Sequence, residues 1–248
     1  MGLTIHYSLK SATRSAKKAR ELVARLRGRA LDLPFAKVED IVELTGEECE
    51  FERCDQDDPH RWLLIQAGQY IDRPAPGGRT YSYNVAPTHL IAFETLPGDG
   101  CESANFGLCR YPAEIKVTDS DWPYRRRKIR TRLSGWSWQS FCKTQYASNA
   151  ECGGVQNFLR CHLAVIRVLD QAKSLGILED VSDEGDFWTN RNVRALAEEV
   201  GQWNEMIAAF AGELMDLLGD QAGDLGIEAP ITEFPNFQHL EVAGRGKE

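Results

Sequence analysis

No stretch of this chain stays apolar for the ~18 residues that a membrane-spanning helix needs, and Met1 to Lys10 lacks the apolar core of a signal peptide. His6 also stands where a myristoylation signal wants Ser or Thr after Gly2. The expectation is a cytoplasmic protein. No Cys-x-x-Cys occurs: Cys49, Cys54, Cys101, Cys109, Cys142, Cys152 and Cys161 stand singly, at spacings that match no zinc module. Reduced thiols and no resident cofactor are expected. There is no phosphate-binding Gly-rich Lys-Ser/Thr loop, no dinucleotide glycine pattern, no His-Glu-x-x-His and no Gly-x-Ser-x-Gly. These absences remove most enzyme classes that a single sequence can announce, and the reading leans away from an enzyme.

What the chain has is segregated charge. The net charge is -8, yet residues 1–30 carry eight basic groups against Glu21 alone, a balance of +7. Residues 31–65 carry eleven acids against Lys37, Arg53 and Arg61, a balance of -8. Residues 110–143 hold nine basic and three acidic groups, a balance of +6. Such blocks guide partners when exposed, or pair with one another within the fold.

The periodicities predict an α+β protein. Residues 136–147 alternate as a strand, Gly153 and Gly154 make a turn, residues 155–175 follow a helical pattern, and residues 177–181 form a short strand. In that helix Gln156, Arg160, Arg167, Gln171 and Ser174 leave only a narrow polar stripe, so most of its circumference must be covered by protein. Residues 3–9, a helix over residues 12–31 with a basic outer face, and a strand over residues 38–44 make a second β-α-β unit. Two such units in a mainly antiparallel sheet give a ferredoxin-like arrangement. Elaborations are expected between the units: a strand over residues 61–65, and hairpin strands 89–96 and 105–111 around Pro97-Gly98-Asp99-Gly100. A long helix should span residues 189–218. Residues 1–225 are read as one domain and residues 226–248 as an extended, partly docked tail.

The strongest binding signal is residues 124–146. Arg125, Arg126, Arg127, Lys128, Arg130 and Arg132 precede a strand on which alternation places Trp136, Trp138 and Tyr146 on one face. Rings that stack on bases beside cations that neutralise phosphates are what a single-stranded nucleic acid requires. Residues 135–141 loosely resemble the aromatic spacing of the RRM strand motif, with Ser134 in place of its initial basic residue and Gln139 in place of an aliphatic one. The competing explanation is that both tryptophans are core. The leading expectation is a non-enzymatic binding protein whose partner is a protein or a single-stranded nucleic acid, with the basic face of the first helix as a second contact. Trp203 and Phe210 widen the apolar face of the last long helix enough for a homo-oligomer.

The alternative is a metal-assisted hydrolase. Asp99 and Glu102 lie in a glycine turn, Asp183 and Glu184 follow a strand, and carboxylate oxygens of this kind hold hard divalent cations when two loops meet. Solvated turns give the same pattern. Cys142 or Cys101 activated by His162, His89 or His60 is a third arrangement, set against the usual fate of free cysteine as an inert buried hydrophobe.

Overall fold

Strand β1 (Thr4–Ser11) turns Ile5, Tyr7 and Leu9 to one face and His6 and Lys10 to the other, as period-2 geometry requires. The computed structural model describes residues 3–53, 55–74, 78–118, 126–218 and 230–246. Helix α1 (Ala16–Leu31) begins at Ser15, whose hydroxyl accepts the Lys18 N–H as an N-cap, and it buries the stripe Ala19, Val23, Leu26 and Ala30. The chain continues through β2 (Lys37–Val38), β3 (Val42–Thr45) and helix α2 (Arg61–Ala67). Strands β4 (Gln69–Pro74), β5 (Thr80–Val85), β6 (His89–Phe93), β7 (Thr95–Leu96) and β8 (Phe106–Arg110) come next. Then follow β9 (Glu114–Thr118), β10 (Arg126–Arg130), β11 (Trp136–Lys143), α3 (Gly154–Ser174) and β12 (Leu178–Asp183). Helices α4 (Phe187–Asn190), α5 (Val193–Leu218) and α6 (Phe237–Arg245) close the chain.

Six strands form the principal sheet in the order β12-β1-β11-β8-β6-β3, and each neighbouring pair is antiparallel. Directions therefore alternate: β1 and β3 run the same way and are bridged by α1, while β11 and β12 run the other way and are bridged by α3. Each β-α-β unit is split, since other strands lie between its two strands. The two helices pack on each other, and Arg160 of α3 donates to the Pro34 carbonyl just beyond α1 at 2.7 Å.

Registers show what the helices cover. Tyr7 pairs with Ser140 and Leu9 with Trp138, so Trp136, Trp138 and Cys142 share the β1 face that holds Ile5 and Leu9. Phe106 stacks on Tyr7 at 5.1 Å and on Phe93 at 5.7 Å, extending this layer across the sheet. A smaller apolar cluster, Ala208, Ala211, Ile231 and Phe234, joins α5 to the segment that enters α6.

Several elements differ from the sequence reading, among them the helix expected over residues 189–218, which is broken at Arg191, φ 55°, into α4 and α5. The expected strand at residues 61–65 is α2, because Leu63, Leu64 and Ala67 bury one side of a short helix; an apolar run this short does not distinguish the two periods. The expected extended tail contains a helical turn at Pro230–Glu233 and then α6, held against α5. The strand expected over residues 136–147 stops at Lys143, and the chain turns into the 3-10 segment Gln145–Ser148. Among the described residues no helix is long and apolar enough to cross a membrane.

Candidate functional site

The basic run forms one arm of a hairpin. Strand β10 pairs with β9 in the register Arg127 to Val117, Lys128 to Lys116, Ile129 to Ile115 and Arg130 to Glu114. Alternation puts the exposed Arg127 on the same face as the buried Ile129 and presents Lys128, Arg130, Lys116 and Glu114 on the other. Glu114 is shared, at 3.7 Å from Lys128 and 3.8 Å from Arg130. Lys116 and Lys128 stand directly across from each other, a like-charge pairing that costs stability.

A second hairpin, β4–β5, supplies aromatics. Arg73 lies opposite Tyr81 and Ile71 opposite Tyr83, and the two tyrosine rings meet edge to face at 6.4 Å. The hairpins are stitched together. Arg127 donates to the Tyr83 hydroxyl at 2.8 Å, and Arg73 donates to the carbonyls of Arg130 at 2.7 Å and Thr131 at 3.0 Å. Over residues 69–74, 78–85, 110–118 and 126–132 nine basic residues stand against Asp72 and Glu114 alone. In a chain of net charge -8 this is a strong local inversion.

Not every residue expected at this surface is there. Arg125 lies outside the described residues, and of Arg126 only the backbone is described. Arg132 is exposed, with a left-handed φ of 64°. The aromatic row needs correction: Trp136 and Trp138 are both 0% exposed. They belong to the core face, where Trp138 Nε1 donates to the Asn105 carbonyl at 2.8 Å and His89 meets the Trp136 ring at 5.0 Å. Tyr146 is beyond the end of β11 and leaves the alternation, its ring 4.5 Å beneath the Lys143 ammonium. Tyr81 and Tyr83 are the aromatics that accompany the arginines, and the signal for them was the alternation Tyr81-Ser82-Tyr83.

The carboxylates of the metal alternative are dispersed in their roles. Glu184 accepts the Thr4 N–H at 2.9 Å and Glu102 accepts the Lys143 N–H at 3.2 Å. The Asp99 carbonyl takes the Asn157 amide at 3.1 Å. Among the described residues no three His, Cys, Asp or Glu side chains are grouped to hold a metal ion.

Asp183 belongs to a buried line of polar groups. Thr144 Oγ1 is 3.0 Å from His162 Nδ1, and His162 Nε2 is 3.3 Å from the Asp183 carboxylate. The carboxylate also accepts the N–H groups of Trp188 at 2.8 Å and Gly185 at 3.0 Å. Burial pushes the Asp183 pKa up, but the His162 contact and the two N–H donors outweigh it and hold the carboxyl below its ordinary value. A hydroxyl, an imidazole and a carboxylate in series are the parts of a nucleophilic triad. Here the hydroxyl and imidazole are 0% exposed. The line instead ties the end of β11 to α3 and to the loop after β12.

The cysteines named for thiol chemistry are placed differently. Cys142 is buried, points its thiol at the Glu102 carbonyl at 3.2 Å, and has its pKa raised first by burial. Cys101 lies against Cys161 rather than a histidine, and Cys161 is also 3.5 Å from Asn157 Oδ1. On α5, Leu196, Val200 and Ala211 are buried and Trp203 packs against the core, while Phe210 is 66% exposed.

Compared with known proteins, the chain matches no family model, no curated protein and no solved structure.

Proposed function

We propose that this protein is a non-enzymatic binding protein that takes single-stranded nucleic acid across the joined β4–β5 and β9–β10 hairpins. The observation that carries the reading is Lys116 facing Lys128 in register. Two lysines opposite each other in register repel, a cost that Glu114 relieves only in part at 3.7 Å from Lys128, and a phosphate between them turns what remains into attraction. Arg130 prolongs the row, Arg132 is exposed just beyond it, and the half-buried Tyr81 and Tyr83 lie in the neighbouring hairpin. Cations that follow a backbone beside rings that hold bases are the two halves of sequence-tolerant single-strand binding. The fold reading that accompanies this proposal is an elaborated ferredoxin-like sheet, supported by two split β-α-β units with β12, β1 and β11 side by side and the β6–β8 hairpin set before β3.

The test is anisotropy of a labelled single-stranded oligonucleotide across a salt series. Binding should weaken with salt, and each of Lys116→Ala, Lys128→Ala and Arg130→Ala should lower the log–log slope by about 0.7. Equal affinity and slope in the wild type and the triple variant rules the reading out. Binding of an acidic peptide but no oligonucleotide moves the surface to a protein partner.

A further inference from the structure

We propose that the groove between α1 and α3 is a separate site for a small phosphorylated molecule, one carrying a diphosphate or two neighbouring phosphate groups. Arg25 and Arg29 line it from α1, Arg167 faces them from α3, and Gln171 and Ser174 continue the α3 wall. Its volume is about 550 Å³, within the roughly 300–1,000 Å³ range of small-ligand sites.

Two features separate this groove from an ordinary solvated helix face. The first is the state of its cations. Arg20 and Arg27 of α1 are engaged by Glu43 and Asp40, whereas among the described residues Arg25, Arg29 and Arg167 have no carboxylate within ion-pair distance. The groove does contain two acids, Asp32 and Asp170, but Asp170 is already gripped by both terminal nitrogens of Arg191 at 2.8 and 3.1 Å. Three guanidinium groups thus face a cavity with one carboxylate left to oppose them. Guanidinium is the side chain whose paired N–H groups match the oxygens of a phosphate.

The second feature is Gly28. It stands inside α1 between the two arginines and lines the groove, and a Cβ built on it meets nothing within 4 Å. Packing therefore does not require glycine here, although glycine weakens a helix interior relative to alanine. What its missing side chain does is leave the groove floor clear. A ligand lying across that floor would touch all three arginines.

The site shares no residue with the two-hairpin surface, so the two proposals stand or fall separately. Calorimetric titration of the full chain with inorganic pyrophosphate tests this one. One saturable site is expected, weakened at least tenfold in Arg25→Gln and in Arg167→Gln, and lost in Gly28→Glu, which sets a carboxylate among the arginines. Gly28→Ala should keep the affinity within about twofold, showing that loss in Gly28→Glu is not loss of the helix. Circular dichroism matching the wild type confirms that each variant is folded. No pyrophosphate binding by the wild type, or equal binding by Arg25→Gln and Arg167→Gln, overturns the proposal. So does loss of pyrophosphate binding in Lys116→Ala with Lys128→Ala, which would assign the anion to the hairpins. An oligonucleotide that loses more affinity than pyrophosphate in Arg167→Gln would make the groove a polymer track and sink the small-ligand assignment.

Discussion

His162 Nε2 stands 3.3 Å from the carboxylate of Asp183, with the two side chains 0% and 1% exposed. The contact joins the middle of α3 to the end of β12 in the half of the sheet built around β1. A buried polar pair of this kind is costly to break because the survivor has lost its water and its partner together.

Asp183→Ala should therefore destabilise the fold by about 3–5 kcal/mol, the penalty typical of stripping one partner from a buried pair. Denaturant melts at neutral pH read the change. The pH dependence has a defined sign. The Asp183 carboxyl is lowered in the folded state, against burial, by His162 and by the N–H groups of Trp188 and Gly185. Its contribution is fully present above the ordinary carboxyl value of about 4 and is lost as pH falls through the lowered folded value. In Asp183→Asn that part of the acid sensitivity should vanish, leaving a flatter stability profile as pH falls below the ordinary carboxyl value of about 4. An unchanged profile would mean that Asp183 titrates alike in the folded and unfolded chain.

Trp138 is a core residue with a polar handle, and substitution should show it. Trp138→Ala should cost about 3–5 kcal/mol, chiefly through the cavity it opens, because the Asn105 carbonyl that takes the indole N–H at 2.8 Å keeps the Tyr7 hydroxyl at 2.7 Å. Well below its melting temperature Trp138→Phe should bind an oligonucleotide as the wild type does. A variant that stays folded but loses binding would return the indole to the binding surface.

Gly107 fixes how closely β6 and β8 approach. It stands opposite Ala92, and a Cβ placed on it would lie 2.5 Å from the Ala92 Cβ and 2.8 Å from the Ile91 carbonyl oxygen. Gly107→Ala should cost about 1–3 kcal/mol by overpacking. Adding Ala92→Gly removes the nearest clash, so the pair should be less destabilising than the sum of the single changes. Strict additivity in thermal melts would place the strain in the Ile91 carbonyl alone.

The two β-α-β units were legible because α1 and α3 carry long apolar stripes and their flanking strands alternate or run apolar. Strand Trp136–Lys143 was equally plain as a strand, yet its alternation could not say which face was enclosed. Alternation separates faces; only the helices packed above decide which is core. Asp183 and Glu184 were read as neighbouring loop carboxylates, but one closes a buried line with His162 and the other accepts the Thr4 N–H at 2.9 Å. That division depends on contacts more than 20 residues apart along the chain. The tyrosines beside the basic hairpin escaped for the same reason, because Arg127 meets Tyr83 across 44 positions.

The Lys116–Lys128 pairing gives stability and binding opposite responses to one substitution. Lys116→Glu replaces a repelling cross-strand pair by an attracting one, so the hairpin should gain about 0.2–1 kcal/mol. Part of the gain is offset by Glu114, which lies on the same outer face two residues earlier on β9. The same change removes one cation from the row and adds an anion, so oligonucleotide affinity should fall and its salt dependence should flatten. Thermal melting and anisotropy on one preparation read both quantities. A rise in melting temperature with weaker binding is the pattern of a surface strained in the free protein and relieved by its ligand. Unchanged binding with a higher melting temperature would show the lysine pair to be an unused cost and would remove the ground for placing nucleic acid there.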